Sequence, residues 1–312
     1  MKLVIQIPAY NEEISLPVTL SAISREYEGV DEVNILVIDD GSSDRTSSIA
    51  EDYGVEQIVK LPRNMGLAKA FTIGLQHAID MGADIIVNLD ADNQYNSDDI
   101  GRLIEPIINN KADITIGARP IDRINTFSPV KKLFQKIGSK IIGLLSSPVI
   151  EDAPSGFRAF SRKAAMMMNV FDNYTYTIET IMQSKAKGLT ILSVPIRINN
   201  CYRKSKLVKN LYSYIKKSLI TVVRMFMIYR PFRFFVLIGG FLLFIGALFW
   251  IRFIGLYFMG MGNGNIQSLI LSSVFIVIGF QTAVLGVIAE LLGINRKLAE
   301  DIQIRVKNLE QK

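Results

Sequence analysis

The sequence predicts an α/β domain built on a mainly parallel sheet with helices on both faces, followed by an amphipathic interface helix and two transmembrane helices. Three observations predict it. Residues 1–206 alternate short β-branched runs with intervals of helical spacing, the pattern of parallel strands joined by helical crossovers. Two later windows are apolar over the roughly 20 residues that span hydrocarbon. The charge is also divided, since residues 207–312 carry 12 Lys/Arg against 4 Asp/Glu while residues 1–206 carry 23 against 25. A chain that is 49% hydrophobic yet 21% charged fits such a hybrid.

Taken in order, residues 3–7, 33–38, 58–60, 84–89 and 114–116 are strand-like, and the intervals around 14–25, 45–53, 67–81 and 97–110 have helical spacing. The apolar stretch at the N-terminus breaks at Pro8 and is too short for a signal peptide, which starts this first domain, residues 1–206, in the cytoplasm. Residues 207–231 set Lys209, Lys216, Lys217 and Arg224 against Leu211, Ile215, Leu219 and Val222, a basic amphipathic helix suited to the lipid interface and ended by Pro231. Residues 234–251 and 266–289 are free of charge, and 232–293 forms a two-span hairpin turned at 260–265. Basic residues flank both ends of it, which places both termini on the cytoplasmic side of a cell or ER-type membrane. Residues 294–312 read as a charged cytoplasmic helix. Gly239, Gly240, Gly246 and Gly279 offer close helix packing, within one chain or in a homo-oligomer.

Composition also excludes. A single cysteine, Cys201, rules out an internal disulfide, and a single histidine, His77, rules out the usual zinc sites and catalytic triads. A metal must therefore be held by oxygen ligands. The basic excess lies beside apolar runs, which favours a membrane surface over nucleic acid as a partner. Neither G-x-G-x-x-G nor a Gly-Lys-Ser/Thr phosphate loop is present.

Polar clusters follow three strands, where an open parallel sheet presents its ligand crevice: Pro8-Ala9-Tyr10-Asn11-Glu12-Glu13, Asp39-Asp40-Gly41-Ser42-Ser43-Asp44, and Asp90-Ala91-Asp92-Asn93-Gln94. Each alone has an ordinary reading as turn or capping chemistry. Three at successive strand ends do not. Together with Arg63-Asn64-Met65-Gly66-Leu67-Ala68-Lys69, Gly117-Ala118-Arg119 and Asp152-Ala153-Pro154-Ser155-Gly156-Phe157-Arg158, their order and spacing resemble the family 2 glycosyltransferases of the GT-A fold. With the two C-terminal spans, the resemblance extends to the dolichyl- and undecaprenyl-phosphate mannose and glucose synthases.

The resemblance implies an inverting transfer of one sugar from a nucleotide-sugar, UDP or GDP, to a membrane polyisoprenyl phosphate. Pro8, Ala9, Tyr10, Asn11 and Glu12 would line the nucleotide pocket with Asp39 and Lys69, and Asp40 would accept a hydrogen bond from the base. Asp90, Asp92 and Gln94, with Ala91 between them, would hold Mg²⁺ or Mn²⁺ against the diphosphate. Arg119 would meet the acceptor phosphate, with Lys132, Arg158, Arg203 and Lys206 behind it. Asp152 would act as base or as an orienting charge. The segment 199–206 keeps Ser-Lys but lacks the glycine pattern of many relatives. Three other readings compete. A processive polysaccharide synthase would carry Gln-x-x-Arg-Trp, whereas Trp250, the sole tryptophan, lies in the first span. An inactive scaffold would have no need of intact Asp90, Asp92, Asp152 and Arg119. A channel subunit would need more intramembrane charge than Arg252 and Glu290 at the span ends.

Overall fold

The computed structural model describes residues 1–120, 150–170, 176–199, 220, 223–224, 226–228, 230–261 and 264–310. Most of the expected interface helix at 207–231 lies outside these residues, as do Lys132, Arg203 and Lys206.

Among the described residues seven strands form one sheet: β1 (Lys2–Ala9), β2 (Glu32–Asp39), β3 (Gln57–Lys60), β4 (Ile85–Asn88), β5 (Ile114–Ala118), β6 (Arg158–Ser161) and β7 (Ile191–Pro195), in the order β3-β2-β1-β4-β6-β5-β7. Neighbours pair in parallel except β6, which runs antiparallel to both β4 and β5. Strand β1 is central and buried over Leu3–Ala9, which accounts for its near-continuous apolar run.

Helices α1 (Leu16–Ser21), α2 (Thr46–Asp52), α3 (Leu67–Asp80) and α4 (Ile100–Ile108) occupy the four intervals of helical spacing, with a 3₁₀ turn at Ser97–Asp99 leading into α4. Leu3, Ile5 and Ile7 pack with Leu16 and Leu20 of α1 and Leu103, Ile104 and Ile107 of α4. Gln6 points the other way. A Cβ at Gly74 of α3 would lie 2.5 Å from its Oε1, so α3 packs close on that opposite face. Helices therefore cover both sides of the sheet.

Among the described residues the domain also contains two strands, β6 and β7, and two helices, α5 (Arg162–Met167) and α6 (Thr177–Ala186), beyond the elements the sequence predicts. Helix α6 buries Thr177, Glu179, Thr180, Gln183 and Ser184 along with Ile178, Ile181 and Met182, so it has no polar stripe to betray it.

Contact density divides the chain into Met1–Thr221 with Lys307–Lys312, and Val222–Val306. The second unit holds α7 (Pro231–Phe258) and, up to Val306, α8 (Ile266–Glu310); Pro231–Phe258 and Ile266–Arg296 are long and apolar enough to cross a membrane. The 28 residues of α7 make a rod of about 42 Å, ample for a hydrocarbon core of about 30 Å. They pack through glycine: a Cβ at Gly239 would lie 2.7 Å from the Gly279 carbonyl oxygen, and one at Gly246 would lie 2.8 Å from the Ile276 side chain. Gly240 meets nothing within 4 Å. Ser272 donates to the Gly246 carbonyl at 2.8 Å, and Arg252 donates to Ser268 at 3.1 Å, which gives this charge within α7 a polar neighbour. The charged stretch from 294 is no separate helix but the continuation of α8, which runs unbroken to Glu310.

Candidate active site

The loops after β1 and β2 are stitched together. The Asn11 N–H donates to Ser42 Oγ and its Oδ1 accepts from the Ser43 N–H, both at 2.9 Å; the Glu12 N–H donates to Thr46 Oγ1 at 2.9 Å. Asn11 takes φ 53°, a left-handed conformation that asparagine tolerates better than most side chains. Asp39 turns both oxygens inward, one accepting from the Ser42 N–H at 2.8 Å and the other from the Ser47 hydroxyl. Asp40 accepts from the N–H groups of Met65 and Gly66 at 2.7 and 2.9 Å, holding the Arg63–Gly66 turn against the second loop. Gly41 allows this contact, because a Cβ there, at φ 71°, would lie 2.4 Å from the Arg63 carbonyl carbon. Burial raises the Asp40 pKa above the ordinary carboxylate value, against the two amides that oppose it. Asn11, Asp39 and Asp40 thus shape the crevice wall, Pro8 and Ala9 are buried in β1, and Tyr10 and Lys69 present exposed side chains.

Asp90 and Asp92 follow β4. Asp92 is exposed, and its Oδ1 accepts from the Gln94 N–H at 3.1 Å. Asp90 is half-buried and packs against Gly156, where a Cβ would lie 2.7 and 2.9 Å from its carboxylate oxygens. Burial and then the Asp92 charge push the Asp90 pKa up to about 7, despite Arg119, Arg158 and a hydrogen bond with Tyr95. Two acidic side chains are thus held close together. Among the described residues no three His, Cys, Asp or Glu side chains gather as a metal cluster. Two carboxylates of this kind suit a hard divalent cation that takes its remaining oxygen ligands from a bound diphosphate and water.

Arg119 follows β5 and Asp152 precedes β6. Arg119 Nε donates to Asp152 Oδ2 at 2.6 Å and Nη2 to Oδ1 at 3.0 Å, in a pair whose side chains are 8% and 0% exposed. Burial alone would lower the Arg119 pKa, but Tyr95 and Asp152 outweigh it and hold the guanidinium above the ordinary arginine value. The guanidinium also lies 6.0 Å from the centroid of the Tyr95 ring.

Arg158 requires a correction. Expected at the acceptor phosphate, it is fully buried, with Nε on Ser155 O at 2.8 Å, Nη1 on Thr177 O at 2.8 Å and Thr180 Oγ1 at 2.6 Å, and Nη2 on Ala153 O at 2.6 Å. Burial lowers its pKa to about 10. It fastens the Ala153–Ser155 turn to the start of α6 and is enclosed by the core, out of reach of a ligand.

Three residues that sequence reasoning missed converge on Gly156. Its N–H donates to Tyr95 Oη at 3.1 Å, and Asn88 Nδ2 donates to its carbonyl and to Tyr176 Oη, both at 2.9 Å. Tyr176 stacks on Phe71 with ring centroids 3.8 Å apart. Tyr95 sits directly after Gln94, so its proximity to Asp90 was the one available signal.

The family described as Glycosyl transferase family 2 matches residues 4–167. A UDP-N-acetylglucosamine--dolichyl-phosphate N-acetylglucosaminyltransferase of Methanococcus voltae is 32% identical over 214 residues, covering 61% of this chain and 83% of that protein. An undecaprenyl-phosphate mannosyltransferase of Micrococcus luteus is 28% identical over 207 residues, covering 63% and 83%. Among solved structures, glucosyl-3-phosphoglycerate synthase from Mycobacterium tuberculosis, in complex with Mn²⁺, UDP and glucosyl-3-phosphoglycerate, superposes with a TM-score of 0.55 at 18% identity, over 72% of this chain and 78% of that one.

Proposed function

The chain belongs to glycosyl transferase family 2, and on that footing we propose that it transfers one sugar from a nucleotide-sugar to a polyisoprenyl phosphate at the cytoplasmic face of a membrane, with inversion at the anomeric carbon. Its GT-A-like sheet sets the parallel strands β2, β1 and β4 side by side, which brings the loops after them to the end of the sheet where such folds bind ligands. The observation that carries the reading is the carboxylate pair Asp90 and Asp92 just after β4, set beside the buried Arg119–Asp152 pair by Tyr95, which hydrogen-bonds Asp90 and whose ring centroid lies 6.0 Å from the Arg119 guanidinium. Relatives named for dolichyl- and undecaprenyl-phosphate acceptors, and two helices fit to span a bilayer, support a lipid acceptor.

Tyr10 and Lys69 are the exposed side chains of the nucleotide wall, with Asp40 behind them as acceptor for the base. Asp90 and Asp92, with Gln94 orienting Asp92 through its N–H, hold Mg²⁺ or Mn²⁺. When bound, the cation acts as a Lewis acid on the departing diphosphate. The acceptor, a phosphate monoester with a second pKa near ~6, is largely a dianion at neutral pH and is its own nucleophile. Asp152 therefore serves to orient Arg119, and Arg119 aligns the acceptor phosphate, joined by Lys132, Arg203 and Lys206. Residues 1–206 act as the catalytic domain, 207–231 as the interface helix and 232–293 as the membrane hairpin.

The test is release of nucleoside diphosphate by detergent-solubilised protein from a panel of UDP- and GDP-sugars, with and without polyprenyl phosphate, in Mg²⁺, Mn²⁺ or EDTA. Release that needs both lipid and metal and disappears in Asp92→Ala supports the reading and names the donor. Polymer growth without lipid phosphate would replace it with a polysaccharide synthase.

A further inference from the structure

Asn199 lies just beyond β7 and holds the loop that carries Asp90 and Asp92. Its backbone N–H donates to Gln94 O at 2.9 Å, and its Nδ2 lies 3.2 Å from Asn93 O, 3.2 Å from Asn93 Oδ1 and 3.1 Å from Tyr95 O. The same segment pairs Ile198 with Tyr95 in an isolated antiparallel bridge. It is anchored one residue earlier, where the Arg197 guanidinium meets the buried carboxylate of Asp99 at 2.9 and 3.1 Å. The loop needs holding. Asn93 takes φ 54°, a left-handed conformation open to asparagine but sparsely populated, so contacts across the fold decide how firmly it is held. Gln94, whose carbonyl Asn199 grips, donates its own N–H to Asp92 Oδ1 at 3.1 Å. The carbonyls of Asn93 and Tyr95, which the Asn199 side chain meets, flank this residue, so the side chain and the backbone N–H of Asn199 together hold the turn that orients Asp92.

We propose that Asn199 is a positioning residue for the cation-binding carboxylates: it fixes the 93–95 backbone so that Asp92 faces the same cation as Asp90. This rests on the metal reading given above. The segment leaving the sheet thereby sets how well the donor site retains its metal.

The test is Mn²⁺ binding to the full-length protein in detergent, followed by the EPR signal of the free ion, for wild type, Asp92→Ala, Asn199→Ala and the double variant Asn199→Ala/Asn93→Gly. Outer partners of metal ligands typically contribute about 10- to 100-fold in affinity. Asn199→Ala is expected to weaken Mn²⁺ binding by about that factor and to raise the Mn²⁺ concentration for half-maximal turnover, while kcat at saturating Mn²⁺ stays within about threefold of wild type. Asn93→Gly, which takes a positive φ without strain, should recover most of the lost affinity in the double variant. If Asn199→Ala fails to fold, Asn199→Ser, which keeps the backbone bond and a shorter donor, replaces it with a smaller loss expected. Wild-type affinity in Asn199→Ala, beside loss in Asp92→Ala, overturns the proposal and leaves the metal reading standing. A wild type that binds no Mn²⁺ sensitive to Asp92→Ala overturns both.

Discussion

Arg119 and Asp152 stand 33 residues apart in the chain and close on each other at the ligand edge of the sheet as a buried two-pronged pair. Removing one partner strands the other charge. Asp152→Ala should lower stability by about 3–5 kcal/mol, read by denaturant unfolding. Arg119→Lys keeps the charge but loses the fork, so it should raise the KM for lipid phosphate more than that for nucleotide-sugar. The profile of kcat/KM against pH separates the two roles of Asp152: a base imposes an acidic limb that Asp152→Asn abolishes along with turnover, whereas an orienting charge leaves Asp152→Asn slower with the limb in place.

Asp90 makes the metal-free protein sensitive to pH in a defined direction. Its folded pKa, about 7, lies above its unfolded value near ~3.9. The folded state therefore binds the extra proton, and stability falls as pH rises from about 4 through about 7. A bound cation opposes the shift, because its charge favours the ionised carboxylate. Metal-free protein should melt lower at pH 8 than at pH 5.5, and Mn²⁺ should raise the melting temperature more at pH 8. Equal Mn²⁺ shifts at both values would count against a shared carboxylate site.

Gly156→Ala places a methyl 2.7 Å from Asp90 Oδ2 and 3.0 Å from Tyr176 Oη. Overpacking of this kind costs about 1–3 kcal/mol, and here the strain falls on a proposed metal ligand. A loss of Mn²⁺ affinity larger than the loss of stability is expected from parallel titration and melting. Unchanged affinity would mean that Asp90 is not a ligand.

Arg158 predicts the opposite balance from Arg119. Arg158→Met leaves the Ala153, Ser155 and Thr177 carbonyls without their donor, so stability should fall by several times the ~1 kcal/mol of one hydrogen bond. In whatever folds, the acceptor KM should match wild type, measured beside Arg119→Lys.

Where α7 and α8 pack, Gly279→Leu should lower the melting temperature in detergent, because a Cβ at Gly279 already meets Gly239 O and Leu243 at 2.9 Å. Gly240→Leu, with nothing within 4 Å, should melt as wild type does.

The first 118 residues were legible because each strand is apolar and β-branched, and each is followed by turn chemistry that also forms the site. Legibility stopped at β6 and α6. Strand β6 opens on Arg158, a charge that reads as surface until its four acceptors are seen, and α6 buries polar residues that break the helical pattern. Arg158 was misread for the same reason, since neither composition nor spacing reveals that carbonyls from Ala153, Ser155 and Thr177 surround one guanidinium. Asp39 and Asp40 were placed correctly at a strand end, but their engagement with loop amides depends on where residues 63–66 fold back. Tyr95 and Asn199 are ordinary residues in sequence and acquire roles only through contacts made across the fold.

The reversed strand β6 bears on how such a protein diversifies. Because Ile116 of β5 pairs with Arg158 of β6, the chain leaves the sheet after Ala118 and re-enters it at the same edge. Strand order therefore leaves the length of chain between Ala118 and Arg158 unconstrained, and proteins that share this sheet are free to differ in length there without disturbing it.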